Sequence, residues 1–213
     1  PFMATLFSVS SHHPFKVPEK YNGKFKKGPL EIHEPIGYTD FALKKFFETA
    51  KKMPWYDNTI FVLVADHTNQ IGYPEYEKAM NRFAIPILFY SQNKKFNLKG
   101  EIAEPTQQMD IYPTLVDLMG YNKKIRSWGR SLVSDKKEDH LIVNSSGVEQ
   151  FIIGDFIYLF DGKNFTGIYK LDDLGYENNL LGKINTPEIK LGELKAKAWY
   201  QDYMNRVINR KLN

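Results

Sequence analysis

Apolar residues along this chain collect into short runs separated by stretches of helical spacing. The runs Phe2–Val9, Thr59–Ala65, Phe83–Tyr90, His140–Asn144 and Gln150–Phe160 are rich in aromatic and β-branched residues and are predicted as strands. Between them, Leu43, Phe46, Phe47 and Ala50 recur at i, i+3, i+4 and i+7, which predicts a helix from about Thr39 to Met53, ended by Pro54. A second helix is predicted from Gln107 to Met119, with Ile111, Leu115, Leu118 and Met119 on one side and Gly120 as its C-terminal stop. A third covers Thr186 to Leu212, with Leu191, Leu194 and Ala198 as its stripe.

Strands alternating with helices over the first 135 residues indicate an α/β layer architecture with a largely parallel sheet. The pattern then changes. From His140 to Lys170 it reads strand, turn, strand, with turn chemistry at Asp161-Gly162 ahead of FTGIYKL, so a small antiparallel section is expected. Residues 1–135 and 136–213 are thus read as two parts of one globular unit, without internal repeats or a low-complexity linker.

Composition narrows the chemistry. The 213 residues are 42% hydrophobic and 15% aromatic, enough for a packed core. Lys and Arg number 29 against 25 Asp and Glu, and the net +4 is scattered along the chain, which argues against nucleic acid as a partner. With no cysteine, disulfides, thiolate nucleophiles and cysteine-ligated metals are excluded. No run approaches the roughly 18 apolar residues of a membrane span, and PFMATLFSVSSHHPF lacks the marks of a signal peptide. Since Met3 already sits inside an apparent strand, an excised fragment is expected, with any anchor in the part not included.

The strongest local signal is FVLVADHTN, in which an apolar run leads directly into Asp66-His67. Sites of open α/β sheets lie at the carboxyl ends of strands. A carboxylate beside an imidazole there offers one hard oxygen and one borderline nitrogen, suited to zinc, manganese or iron. The same pair is equally compatible with a turn-initiating Asp beside a surface histidine. In Ser10-Ser11-His12-His13-Pro14-Phe15, an imidazole can bind phosphate, act as general acid or ligate metal, or merely decorate a solvated turn. Adjacent side chains of an extended segment point oppositely, so at most one of His12 and His13 is expected to face a site. Asp110, ahead of Ile111-Tyr112-Pro113-Thr114, reads as a capping carboxylate, and Arg130 of Trp128-Gly129-Arg130-Ser131 as a clamp or an anion holder. His33 and His140 have no partner in the sequence, and no nucleophile-elbow, Walker or dinucleotide-binding glycine pattern occurs.

Taken in order, these motifs resemble the C-terminal half of the sulfatase family of the alkaline phosphatase superfamily. The nearest resemblance is to its membrane-anchored phosphoglycerol transferase branch, which includes lipoteichoic acid synthase. SSHHPF is similar to a His-x-Pro element, YTDFALKKFF to the helix before the central strand, and NTIFVLVADHTN to the Asp-His metal motif. FAIPILFYS, QMDIYPTLVDLMG and WGRSL resemble the strand, helix and loop that follow, and IYKLDDLGYENNL the closing element, so that the resemblance covers roughly residues 1–182. Thr68 departs from the pattern, which commonly has glycine after Asp-His.

The resemblance implies an alkaline phosphatase-like layered sheet with flanking helices. It implies Asp66 and His67 as ligands of a divalent metal ion, whether manganese, zinc, magnesium or calcium, and His12 as the contact to phosphate or sulfate and to the leaving group. It further implies that the nucleophile and the other metal-binding carboxylate come from an N-terminal half of the same polypeptide. The implied reaction is in-line attack by that half's hydroxyl on the phospho-group of an anionic lipid headgroup, through a covalent intermediate, outside the cytoplasm at the cell membrane or in the periplasm. The fragment itself is expected to be soluble and without turnover. The competing expectations are a sulfatase or phosphodiesterase acting on sulfate or phosphate esters, and a non-catalytic binding module.

Overall fold

A computed structural model describes residues 2–68, 70–134, 141–145 and 147–212. Its contacts cluster into two units, Pro1–Lys99 and Gly100–Asn213.

In the first unit, helix α1 spans His33–Ala50. It starts ahead of the predicted Thr39 because Pro35 falls in its first turn, where a missing N–H leaves no intrahelical bond unmade. Strand β1 (Phe61–Val64), the four-residue helix α2 (Pro74–Glu77) and strand β2 (Ile87–Tyr90) follow. β2 is shorter than predicted, since Asn81–Phe83 winds into a 3-10 turn and Pro86 has no N–H to give a ladder. β1 and β2 pair antiparallel, Phe61 opposite Tyr90 and Val64 opposite Ile87, which corrects the expectation of parallel strands here. A parallel return needs a crossover, usually a substantial helix, and among the described residues the α-helix between these strands is a single turn. Phe2–Val9 forms no strand and leaves Phe2, Met3, Leu6, Phe7 and Val9 exposed. An apolar run becomes a strand only where a neighbouring edge accepts its hydrogen bonds.

Aromatic rings hold the unit together. Phe47 of α1 lies 5.1 Å from Phe61 and 5.8 Å from Tyr90, edge to face, so the helix is seated over both strands. Buried Tyr56 bonds Tyr90 hydroxyl to hydroxyl at 2.9 Å, and burial pushes its phenol up to about 12. Of the predicted stripe, Ala50 is buried while Leu43 and Phe46 stay exposed, because the described strands beneath α1 are only these two.

In the second unit, a 3-10 turn at Gln108–Asp110 leads into helix α3 (Ile111–Leu118). Gly120, at φ +73°, ends it as predicted: its N–H donates to the Asp117 carbonyl and that of Tyr121 to the Val116 carbonyl, a Schellman closure. Met119 is exposed, not part of the packed side. Strands β3 (Ile142–Ser145), β4 (Glu149–Ile153), β5 (Phe156–Phe160) and β6 (Phe165–Lys170) form an antiparallel sheet in that order. The run predicted as one strand, Gln150–Phe160, is therefore a hairpin, turned at Gly154 with φ +56°. The apolar residues are interrupted at Gly154-Asp155, a pair suited to a two-residue hairpin turn, so the break is a local signal. The predicted turn at Asp161-Gly162 joins β5 to β6, with Asp161 Oδ1 accepting from the N–H groups of Lys163 and Asn164. His140 lies outside the described residues.

Helix α4 (Pro187–Ile208) opens on Thr186, whose hydroxyl accepts the Ile189 N–H. Its buried face is Ile189, Gly192 and Ala196, not the predicted stripe; Leu191 and Leu194 point to solvent. The reason lies across the sheet. Tyr158 is fully buried, and a Cβ added at Gly192 would fall 2.0 Å from its hydroxyl, so only glycine lets α4 sit down on β5. Phe151, Tyr158 and Ile168 face one another across β4, β5 and β6 and join Ile189 and Ala196 in the core.

Two expected outcomes follow. Gly192→Ala ordinarily favours a helix by about 1 kcal/mol; here overpacking against Tyr158 should reverse the sign, lowering stability by about 1–3 kcal/mol in urea unfolding. Asp202 accepts from Arg206 Nε at 2.7 Å and Trp128 Nε1 at 3.0 Å, and chiefly the Arg206 bond holds its carboxyl below the usual range. A depressed carboxyl stabilises the fold above its unfolded value of about 3.9 and loses this as pH falls through its folded value. Unfolding midpoints of Asp202→Asn and the parent should therefore differ at neutral pH and converge in acid.

Candidate functional site

The β1 ladder ends at Val64, and Asp66 and His67 stand just beyond it on a segment without regular structure. Their side chains are 55% and 66% exposed, so a ligand reaches them directly from solvent. Asp66 Oδ1 accepts the His67 backbone N–H at 2.9 Å, leaving Oδ2 3.5 Å from His67 Nε2. His67 Nδ1 lies 2.7 Å from the Thr68 carbonyl. A carbonyl only accepts, so Nδ1 carries the hydrogen and Nε2 of a neutral ring presents a lone pair. That lone pair and a carboxylate oxygen are both electron-rich. At 3.5 Å the two atoms stand close enough for one metal ion to meet both as donors.

The spacing fits a metal. Two ligands about 2.1 Å from a tetrahedral ion stand about 3.4 Å apart, and a ligating histidine characteristically donates its other ring N–H to a carbonyl. The donor set is short of complete. Among the described residues no group of three or more His, Cys, Asp or Glu is placed to hold a metal, and an open catalytic zinc site takes three protein ligands.

His12 is held by the same device. It sits on a turn closed by His12 N–H to the Val9 carbonyl and Phe15 N–H to the His12 carbonyl, and its Nδ1 lies 2.9 Å from the His13 carbonyl. Its Nε2 is thereby left as the ring's available nitrogen, and the side chain is exposed. His13 turns instead toward Phe15, 5.8 Å between rings. Phe15 takes φ 55°, a left-handed conformation costly for a residue with a β-carbon. The segment 27–36 adjoins both motifs: Leu30 lines a cavity of about 340 Å³ with Pro14 and Phe15, and another of about 320 Å³ with Thr68, Gln70 and Arg82.

The other candidates are structural. His33 Nδ1 accepts the Leu30 N–H at 3.1 Å at the start of α1. Asp110 is fully buried, with Oδ2 accepting Gln107 N–H at 3.0 Å and Oδ1 accepting Arg130 N–H at 2.9 Å. It is a capping carboxylate, and it also fastens the 127–132 loop. Gly129 permits this approach, because a Cβ there would meet the Met109 carbonyl oxygen at 2.2 Å. Arg130 Nη2 reaches Glu104 Oε2 at 3.4 Å and the Pro105 carbonyl at 3.3 Å, the clamp reading of this arginine. In the closing element, Asn179 Oδ1 takes the Ile168 N–H at 3.1 Å and so caps the outer edge of β6. Sequence reasoning marked Thr68 only as a departure from the pattern and missed its tie to Arg82. Thr68 donates its hydroxyl to the Arg82 carbonyl at 2.6 Å, a contact across 14 positions that leaves no mark in local pattern.

The family model described as Sulfatase matches residues 1–121. Over 160 residues, 65% of this chain, the sequence is 26% identical to lipoteichoic acid synthase 1 of Bacillus subtilis and spans 24% of that protein. It is 28% identical over 116 residues, 53% of this chain and 22% of the relative, to a sulfatase of Formosa agariphila. A solved structure of a protein in the alkaline phosphatase superfamily from Vibrio parahaemolyticus shares the fold, with a TM-score of 0.65 and 22% identity, over 91% of this chain and 48% of the other. The chain thus has an alkaline phosphatase-like α/β fold and spans about a quarter of the length of these sequence relatives.

If Asp110 is a cap and not a site residue, Asp110→Ala should leave two backbone N–H groups unpaired and cost about 2–4 kcal/mol of stability. Differential scanning calorimetry should record that loss, while metal affinity stays at the parent value.

Proposed function

The chain belongs to the sulfatase family, and from that premise we propose that it is part of a metal-dependent phosphoglycerol transferase-like enzyme that moves a phospho-group from an anionic lipid headgroup. The observation that carries this reading is the pairing of Asp66 Oδ2 with His67 Nε2 at the end of β1, the imidazole held by the Thr68 carbonyl. Matches to proteins named as lipoteichoic acid synthases, from Bacillus subtilis and Staphylococcus aureus, support the transferase direction.

In this reading Asp66 and His67 hold a divalent ion, and one carboxylate with one imidazole favours zinc or manganese over magnesium or calcium. Such an ion, when bound, neutralises charge on the transferring group and lowers the pKa of the attacking hydroxyl. His12 binds a phosphate oxygen or the leaving-group oxygen through Nε2, since its Nδ1 is committed to the His13 carbonyl. When protonated at Nε2 it delivers that proton to the departing oxygen. The hydroxyl nucleophile, attacking in line to form a covalent phospho-enzyme, and a further carboxylate ligand are assigned to another part of the same polypeptide. Residues 1–135 contribute the site, through His12, Asp66 and His67. The exposed Phe2, Met3, Leu6 and Phe7 fit a surface that such a part covers. Among the described residues no helix is long and apolar enough to cross a membrane, so the proposed setting on the outer face of the cell membrane would rest on an anchor elsewhere.

A second reading, hydrolysis of a sulfate or phosphate ester at the same residues, is favoured by the Formosa agariphila match. Water in place of an acceptor hydroxyl as the group that resolves the intermediate distinguishes the two.

The test is metal content and manganese or zinc affinity of the full polypeptide against its Asp66→Ala and His67→Ala variants. Stoichiometric binding in the parent, abolished by either change, is expected. If both variants bind like the parent, the pair is an ordinary strand-end turn and the reading fails. Residues 1–213 alone should show no turnover of a generic phosphodiester.

A further inference from the structure

Beyond the ladder, Asp66–Thr68 lies outside regular structure, yet its ring geometry is specific. What fixes it is found at Thr68. The Thr68 carbonyl receives His67 Nδ1–H at 2.7 Å, and the same residue's hydroxyl donates to the Arg82 carbonyl at 2.6 Å. Arg82 is itself anchored, lying within the Asn81–Phe83 turn that leads into β2, where Asn81 Nδ2 donates to the Glu75 carbonyl at 2.8 Å. Two residues further on, Gln70 Oε1 accepts the Ile32 N–H at 3.1 Å. The segment is therefore tied on its far side, and Thr68 is the tie next to the imidazole.

We propose that Thr68 is a positioning residue for His67: its hydroxyl, anchored on the Arg82 carbonyl, orients its own carbonyl to take Nδ1–H and thereby keeps Nε2 as the free nitrogen beside Asp66. The inference rests on the metal reading of Asp66-His67 given above. This bond is available because position 68 is threonine, where the family resemblance expects a glycine with no hydroxyl. A free imidazole exchanges between its two tautomers, and only one of them presents Nε2 as a lone pair. A carbonyl that accepts the other ring N–H and so selects this form raises metal affinity without touching the metal, and losing such support characteristically costs about 10- to 100-fold.

The experiment compares manganese and zinc affinity of the full polypeptide with Thr68→Val and Thr68→Ser, each checked for an unchanged unfolding temperature. Valine keeps the shape and lacks the hydroxyl; serine keeps the hydroxyl. The expected result is binding weakened roughly tenfold or more by valine, with serine within about twofold of the parent. Parent-like affinity in Thr68→Val overturns the role of Thr68 and leaves the Asp66-His67 assignment standing. Absence of binding in the parent overturns that assignment instead. A second measurement needs no variant: imidazole ¹⁵N correlations of the metal-free parent at about pH 8, above the usual imidazole range. Protonation of His67 at Nδ1 is expected there, and protonation at Nε2 overturns the proposal even if the valine protein fails to fold.

Discussion

A strand that stops must hand its backbone polar groups to other partners, and that constraint organises the candidate site. β1 ends at Val64 opposite Ile87. Past that point the chain is satisfied piecemeal: Asp66 takes the His67 N–H, Thr68 ties to Arg82, and Gln70 accepts from Ile32. Side-chain positions at the site are by-products of this accounting. The tilt of the His67 ring is set by a carbonyl that needed a donor. The other end of the strand is held by aromatic packing, with Phe47 of α1 seated on the Phe61–Tyr90 pair where β1 begins. These rings are half-buried, and each edge-to-face pair adds about 0.5–1.5 kcal/mol beyond the area it covers.

His12 and His67 share one solution to one problem. Each is exposed, and each commits Nδ1 to the carbonyl of the residue that follows it. A local contact of this sort orients an imidazole without needing a buried partner, so both rings keep Nε2 for chemistry while remaining in solvent. The price is dependence on backbone geometry around the ring, which at His12 includes the left-handed Phe15.

The second unit uses its charged residues for architecture. Asp110 is buried without a cationic side chain because two backbone N–H groups satisfy it, and through Arg130 N–H it brings the 127–132 loop onto the start of α3. Asp173 accepts from Glu177 and Asn178 N–H groups, and those bonds hold its carboxyl below the usual range. With Asn179 it folds the segment after β6 back along that strand's edge. The WGRSL and YKLDDLGYENNL elements are thus scaffold in this chain, although they read as motifs.

Sequence alone determined the kinds of most elements, the apolar run Phe2–Val9 excepted, and the identity of the candidate pair. Periodicity located α1, α3 and α4, the apolar runs located the β1 and β2 segments, and Gly120 and Asp161-Gly162 announced their turns, because each is a local signal decided within a few residues. Asp66-His67 was legible for the same reason, as polar residues at the end of an apolar run. Tertiary structure decided the rest. The antiparallel pairing of β1 with β2, the choice of Gly192 over Leu191 as the buried face of α4, and the Thr68–Arg82 tie all depend on residues distant in the chain. Helical periodicity identifies which positions are apolar, but the partner surface selects which of them is buried, and here that surface was the hydroxyl of one tyrosine.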